Sequence, residues 1–279
     1  MRKFNTSGPN IPEKHYTIER TGLISQGLDL VADDRYFTIW APRQTGKSTY
    51  FRQLAEILRQ RGYKVAHINF ENFKDEKIQT FISSLKRNIN EFWNSDYDFE
   101  TIPGFFEQIQ SQKIGKCVLI IDEVEGINQE YFGTFLHSIR NAYHSRLTHC
   151  LKSVILVGVS NIVGVVSDNA SPFNISDNLN VPYFTNEEVF ELLGQHEMEI
   201  RQLFDQKVKL KICQITANQP GLVNGFAKKL VEDLPHEGII TYEHYLKVED
   251  WYLTEAIDKN FRTFHNIVYA YNCIPIFIT

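Results

Sequence analysis

The chain has 279 residues, 43% hydrophobic and 23% charged, a balance that supports one large or two small globular domains. Its net charge of -5 argues against a free-standing nucleic-acid binder, and no stretch reaches membrane-spanning length. Cys117, Cys150, Cys213 and Cys273 lack paired spacing, the histidines lack metal-ligand spacing and the N-terminus lacks an apolar signal core. A disulfide framework, a zinc site and secretion are therefore disfavoured, and a reducing cytoplasm is the expected setting.

Residues 1–17 are polar and rich in turn formers, with Gly8, Pro9 and Pro12, yet they hold Phe4, His15 and Tyr16. A free terminus and an ordered arm are both open. Residues 19–33 read as a helix with Leu23, Ile24, Leu28, Leu30 and Val31 on its apolar face. Tyr36 to Trp40 reads as a buried strand.

The strand runs into Ala41-Pro42-Arg43-Gln44-Thr45-Gly46-Lys47-Ser48-Thr49, after which Phe51, Leu54, Ile57 and Leu58 mark a helix that stops at Gly62. This is the pattern G-x-x-x-x-G-K-[ST], with Ala41 in place of the first Gly. Backbone N–H groups of Gln44 to Ser48 are expected to surround a β-phosphate. Gly46 allows the turn and close approach, Lys47 brings a compact positive charge, and the Ser48 hydroxyl is a ligand for Mg2+.

Lys64 to Phe70 is the next strand, so strand, helix and strand form a βαβ unit and imply a parallel sheet. Residues 76–93 look helical through Ile78, Phe81, Ile82, Leu85, Ile89 and Phe92, and 103–112 form a shorter helix with Phe105, Phe106 and Ile109. Lys116 to Ile121 is an apolar strand buried on both faces, ending in Asp122 and Glu123. Ile121-Asp122-Glu123 matches the Walker B pattern: Asp122 is expected to hold Mg2+ through its water shell, and Glu123 to activate the attacking water. Glu71, at the end of the preceding strand, is a rival base; adjacency to the motif favours Glu123. Glu125 is a weaker third choice of base and reads rather as a solvated loop residue.

A helix over 130–147 and a strand over 153–159 follow, the latter ending in Ser160 and Asn161. Residues 162–183 read as a loop. Thr185-Asn186-Glu187-Glu188 is a capping box followed by the apolar Val189, Phe190, Leu192 and Leu193, and further helices follow at about 197–206, 208–217, 221–233 and 241–258. Asn218-Gln219-Pro220-Gly221 is a turn that opens one of them. The expected division is 1–183 as a nucleotide-binding core, 184–258 as an all-helical lid, and 259–279 as an atypical tail whose last 15 residues carry no Asp, Glu, Lys or Arg.

Together these residues resemble the prokaryotic AAA-like ATPase domains close to the signal-transduction (STAND-like) P-loop class. The stretches that carry the resemblance are Phe4 to Pro9, Ala41 to Ser48, Ile68 to Glu71, Asp122-Glu123, Ser171 to Asn174 and Gln219 to Asn224. The resemblance implies an α/β fold, a P-loop NTPase parallel sheet flanked by helices with a C-terminal helical lid, and ATP with Mg2+ as cofactors. It implies that the N-terminal arm covers the adenine side, that Asn161 senses the γ-phosphate, and that Pro220 and Gly221 open a helix touching the adenine. Arg43, Arg140 and Arg146 are available as charge stabilisers, none singled out. The leading function is an ATP-hydrolysing switch with a protein partner or self-oligomer. The alternative is an ATPase acting on DNA through the cluster Lys207, Lys209, Lys211, Lys228 and Lys229; a nucleotide-binding scaffold without turnover is the third.

Overall fold

The structure is a computed structural model that describes residues 1–112, 114–158, 177–233 and 238–255. Its elements in chain order are α1 (Thr21–Ala32), β1 (Phe37–Trp40), α2 (Lys47–Gln60), β2 (Lys64–Asn69), α3 (Ile78–Trp93), α4 (Ile102–Ser111), β3 (Cys117–Asp122), α5 (Gln129–His144), β4 (Leu151–Gly158), β5 (Asp177–Asn180), α6 (Asn186–Ile200), α7 (Gln206–Thr216), α8 (Pro220–Lys228) and α9 (Tyr242–Thr254). The described residues form two compact units. A sheet unit holds Arg20–Arg43 and the described part of Tyr50–Val181. A helical unit holds Met1–Glu19, Gln44–Thr49 and the described residues from Pro182 onward.

In the sheet unit the strands are parallel, in the order β2-β3-β4-β1-β5. The two motif strands, β1 and β3, are not adjacent, and β4 separates them. All six residues of β3 are buried. Alternation sends Cys117, Leu119 and Ile121 into one core with α3, α4 and α5, and Val118 and Ile120 into the other with α1 and α2. That double burial is why β3 reads as an unbroken apolar run.

Local chemistry fixes the helix ends. Thr101 Oγ1 accepts the Gly104 N–H at 3.0 Å to start α4, and Asn128 Oδ1 accepts the Glu130 N–H at 2.9 Å to start α5. The α3 stripe differs from the expected one. Phe81, Ile82, Leu85, Ile89 and Trp93 are buried, whereas Ile78 and Phe92 are exposed, because the i, i+4 step from Ile89 lands on Trp93.

Residues 177–180 correct the expectation of a loop over 162–183. Asp177-Asn178-Leu179-Asn180 is the edge strand β5, paired with β1. Only Leu179 is buried there, so the sequence carries no alternating signal. The strand is held instead by the β1 ladder and by the Arg35 guanidinium on the Asp177 carboxylate at 2.6 Å.

The helical unit has its own core, built from Val189, Leu192, Phe204, Val208, Val223, Phe226 and Tyr245 with partners from the N-terminal arm. The capping box is present: Glu188 N–H donates to Thr185 Oγ1 at 3.2 Å and Thr185 N–H to Glu188 Oε2 at 2.9 Å. The structure corrects the separate helix expected over about 197–206: α6 runs unbroken to Ile200, Arg201 then takes a left-handed conformation, and residues 201–205 are not helical. No helix among the described residues is long and apolar enough to cross a membrane.

Candidate nucleotide site

The phosphate-loop segment turns on two left-handed residues, Gln44 at φ 63° and Gly46 at φ 90°. A left-handed residue alternating with another conformation turns successive N–H groups to one side, the geometry of an anion nest. Gly46 pays nothing for its φ, whereas Gln44 carries a side chain there and is strained. A Cβ at Gly46 would meet nothing within 4 Å, so space lies beside the loop. Thr45 and Lys47 are buried, Ser48 and Thr49 half-buried, and Pro42 and Arg43 exposed; Ala41 is buried in the core with α1 and α2.

Within the helical unit, this segment is gripped from two sides. The Gly221 N–H donates to the Gln44 carbonyl at 3.1 Å. A Cβ on Gly221 would come within 2.7 Å of the Gln44 Cβ, so only glycine permits this approach. Pro220 is the first residue of α8, and Gln219 Oε1 caps it by accepting the Leu222 N–H at 3.2 Å. The Pro220-Gly221 turn therefore meets the phosphate loop itself. One turn further, Asn224 donates Nδ2–H to the Pro220 carbonyl at 2.9 Å, while its Oδ1 is buried without a hydrogen-bond partner.

The N-terminal arm is the second grip. The Asn10 N–H donates to Thr49 Oγ1 at 3.1 Å. The arm is ordered: Lys3 and His15 form a bridge, and Phe4 and Tyr16 are buried with ring centroids 4.8 Å apart. Gln195 clamps Thr17 by accepting its N–H at 3.1 Å and donating to its carbonyl at 2.8 Å. Tyr16 O–H donates to His196 Nδ1 at 3.2 Å, and His196 Nε2–H donates to Gln202 Oε1 at 3.0 Å, so a neutral imidazole satisfies both partners. Burial, reinforced by the Glu199 carboxylate, pushes the Tyr16 hydroxyl up to about 12. Burial lowers the His196 pKa.

In the sheet unit, β3 delivers Asp122 and Glu123 to the carboxyl edge of the sheet, the side where sites form in parallel α/β folds. Asp122 is buried. Its Oδ1 accepts the Glu123 N–H at 3.0 Å, and its Oδ2 lies 3.9 Å from His67 Nε2. Glu123 is left-handed at φ 49°, a strained conformation for glutamate. The chain then folds back, and Gly126 N–H donates to the Glu123 carbonyl at 2.7 Å. Gly126 lies against the Phe70 carbonyl and the Glu71 backbone, where a Cβ would not fit. Glu71 is exposed, in a turn closed by its N–H on Asn69 Oδ1 at 2.7 Å. Both candidate bases thus sit on neighbouring turns, at the ends of the paired strands β2 and β3.

One side chain departs from expectation. Glu125 is not a solvated loop residue: its Oε2 is buried, packed where Gly158 has no Cβ. Of the three arginines named as available charge stabilisers, Arg146 stands away from the carboxyl edge of the sheet. It lies past the C-terminus of α5, before β4, at the amino edge of the sheet, with its guanidinium 4.0 Å over the Tyr143 ring and Nη1 on the Tyr143 carbonyl. Ser160, Asn161, Ser171 to Asn174 and the tail 259–279 lie outside the described residues. The lysine cluster is partly engaged: Lys209 pairs with Glu197 at 2.7 Å, and Lys207 and Lys229 stand over the Tyr242 and Trp251 rings.

The residues present fit a phosphate chain with Mg2+. In the helical unit the Ser48 hydroxyl, and in the sheet unit the Asp122 carboxylate, are each a hard oxygen donor of the type Mg2+ selects, and the glycine at 46 leaves room beside the loop amides. Sequence reasoning did not single out His67 or Gly126, and it named Gln44 for its amide without foreseeing its left-handed backbone. The one available signal was a histidine inside the apolar strand Val65-Ala66-His67-Ile68.

The Walker-type ATPase of Pyrococcus abyssi is similar in structure, with a TM-score of 0.65 and 16% identity over 88% of this chain and 74% of that one. The Aeropyrum pernix ORC1 protein in complex with DNA has a TM-score of 0.58 and 14% identity, over 84% and 65%. The Thermotoga maritima RuvB Holliday junction branch migration motor has a TM-score of 0.57 and 15% identity, over 93% and 79%. At these identities the likeness shows the P-loop ATPase fold. No curated protein matches the chain. The model of the AAA-like domain matches residues 18–246, and the chain belongs to that family.

Proposed function

We propose that the protein is an ATP-binding, Mg2+-dependent ATP-hydrolysing switch. The observation that carries the reading is the contact of Gly221 with Gln44, because it joins the phosphate loop directly to the helix-opening turn of the helical unit. In this reading the amides of residues 44–48 and the Lys47 ammonium bind the phosphates. Ser48 and Asp122 hold Mg2+, which when bound screens the phosphate charge and polarises the transferred phosphoryl group. Glu123 accepts the proton of the attacking water, its carboxylate positioned by the strained turn after β3. Loading the loop is transmitted to α8 through Gly221, so residues 184–258 respond as a lid. The arm, anchored at Thr49, covers the adenine side.

A DNA-directed ATPase is the second reading. It is favoured by relatives named as a DNA complex and a branch migration motor. The engagement of Lys207, Lys209 and Lys229 within the helical unit weighs against a basic face.

The test is ATP binding and hydrolysis by wild type, Lys47→Ala, Glu123→Gln and Glu71→Gln, with and without DNA. Lys47→Ala should lose nucleotide binding. Glu123→Gln should bind ATP normally and turn over about 100-fold or more slowly, the range for loss of a general base. Turnover that survives Lys47→Ala would sink the site. Loss in Glu71→Gln alone would move the base to Glu71, and stimulation by DNA would favour the second reading.

A further inference from the structure

His67 stands on β2, opposite Ile120 of β3, and Asp122 is two residues further along. On parallel strands that puts the two side chains on one face as diagonal neighbours, within reach of each other. The His67 Nε2 is buried and has no hydrogen-bond partner. The acceptor it faces is Asp122 Oδ2, at 3.9 Å. The other carboxylate oxygen, Oδ1, is already held by the Glu123 N–H. The imidazole also packs against Phe51, with ring centroids 4.7 Å apart and an interplanar angle of 51°. Phe51 belongs to α2, four residues after Lys47. A buried ring nitrogen without a partner is costly unless it is used in another state of the molecule.

We propose that His67 is a positioning residue for Asp122, donating Nε2–H to Oδ2 and fixing the carboxylate for the metal. The inference rests on the nucleotide-site reading above. A carboxylate that holds a metal shell needs its orientation set by neighbours, and loss of such a partner weakens metal binding about 10- to 100-fold. Here the Glu123 amide sets one oxygen and His67 the other.

The test uses Mn2+ in place of Mg2+ and measures its affinity for the protein–ATP complex by the electron paramagnetic resonance signal of free Mn2+. Wild type, His67→Gln, His67→Phe, Asp122→Asn and Lys47→Ala are compared. His67→Phe should bind Mn2+ about tenfold more weakly, with metal-free nucleotide affinity and melting temperature unchanged. His67→Gln, whose amide N–H reaches close to the Nε2 position, should restore wild-type affinity. If His67→Phe does not fold, His67→Asn, which is too short to reach, must show the same loss. Mn2+ affinity within twofold of wild type in the folded variant overturns the role of His67. If instead Asp122→Asn keeps full Mn2+ affinity, or Lys47→Ala keeps nucleotide binding, it is the site reading that fails.

Discussion

Gly221 donates its N–H to the Gln44 carbonyl, and its missing side chain leaves the room that the Gln44 Cβ occupies. Gly221→Ala should push the two backbones apart and weaken nucleotide binding about tenfold, in line with ~1–3 kcal/mol for overpacking. Gln44→Gly removes the Cβ, Cδ and Oε1 atoms that the new methyl would meet, and also relieves the left-handed strain at 44. The double variant should therefore recover most of the lost affinity. Titration with a fluorescent ATP analogue checks this, and two losses that simply add would show that the contact is not the cause.

Ala41 is the one letter off the phosphate-loop pattern, and it is buried in the core with α1 and α2. Ala41→Gly should cost about 1 kcal/mol of stability through a lost methyl and a looser chain. Nucleotide affinity should stay within about twofold, since a change below ~0.4 kcal/mol is the expectation for a methyl facing the core. A thermal melt and a binding isotherm separate the two effects.

Phe4 anchors the arm against Tyr16 and His196. Phe4→Ala should cost about 3 kcal/mol locally, enough to release the arm. Limited proteolysis should then cut before Tyr16. ATP affinity should fall if the arm covers the adenine side, and a released arm with unchanged affinity would refute that cover.

His149 and His196 set a pH dependence. Burial lowers the pKa of each below the ordinary 6.5. His149 Nε2–H donates to the Ala142 carbonyl at 2.8 Å, and Nδ1 accepts the Leu151 N–H at 3.2 Å, so the fold holds the neutral ring. The unfolded chain binds protons more readily, so stability from these groups is fully present above pH 6.5 and is lost as pH falls through the lowered folded values. Chemical denaturation at pH 7.5 and 5.5 should show the decline. His149→Gln should flatten its share, and an unchanged slope would remove His149 as a source.

The sequence by itself determined the βαβ pattern, the phosphate loop, the acids at the end of β3 and the capping box. Each rests on short-range rules: apolar period, turn chemistry, and motif residues adjacent along the chain. It did not reveal β5, whose single buried residue leaves no pattern and whose strand exists because β1 offers it a ladder. It left the arm undecided, because the partners of Phe4 and Tyr16 stand on α6, some 180 residues away. It misjudged Glu125 and overlooked His67, because burial and facing acceptors are set by neighbouring strands. Only the tertiary structure brought Glu71 and Glu123 to one edge, because the parallel pairing of β2 and β3 ends both strands on the same side of the sheet.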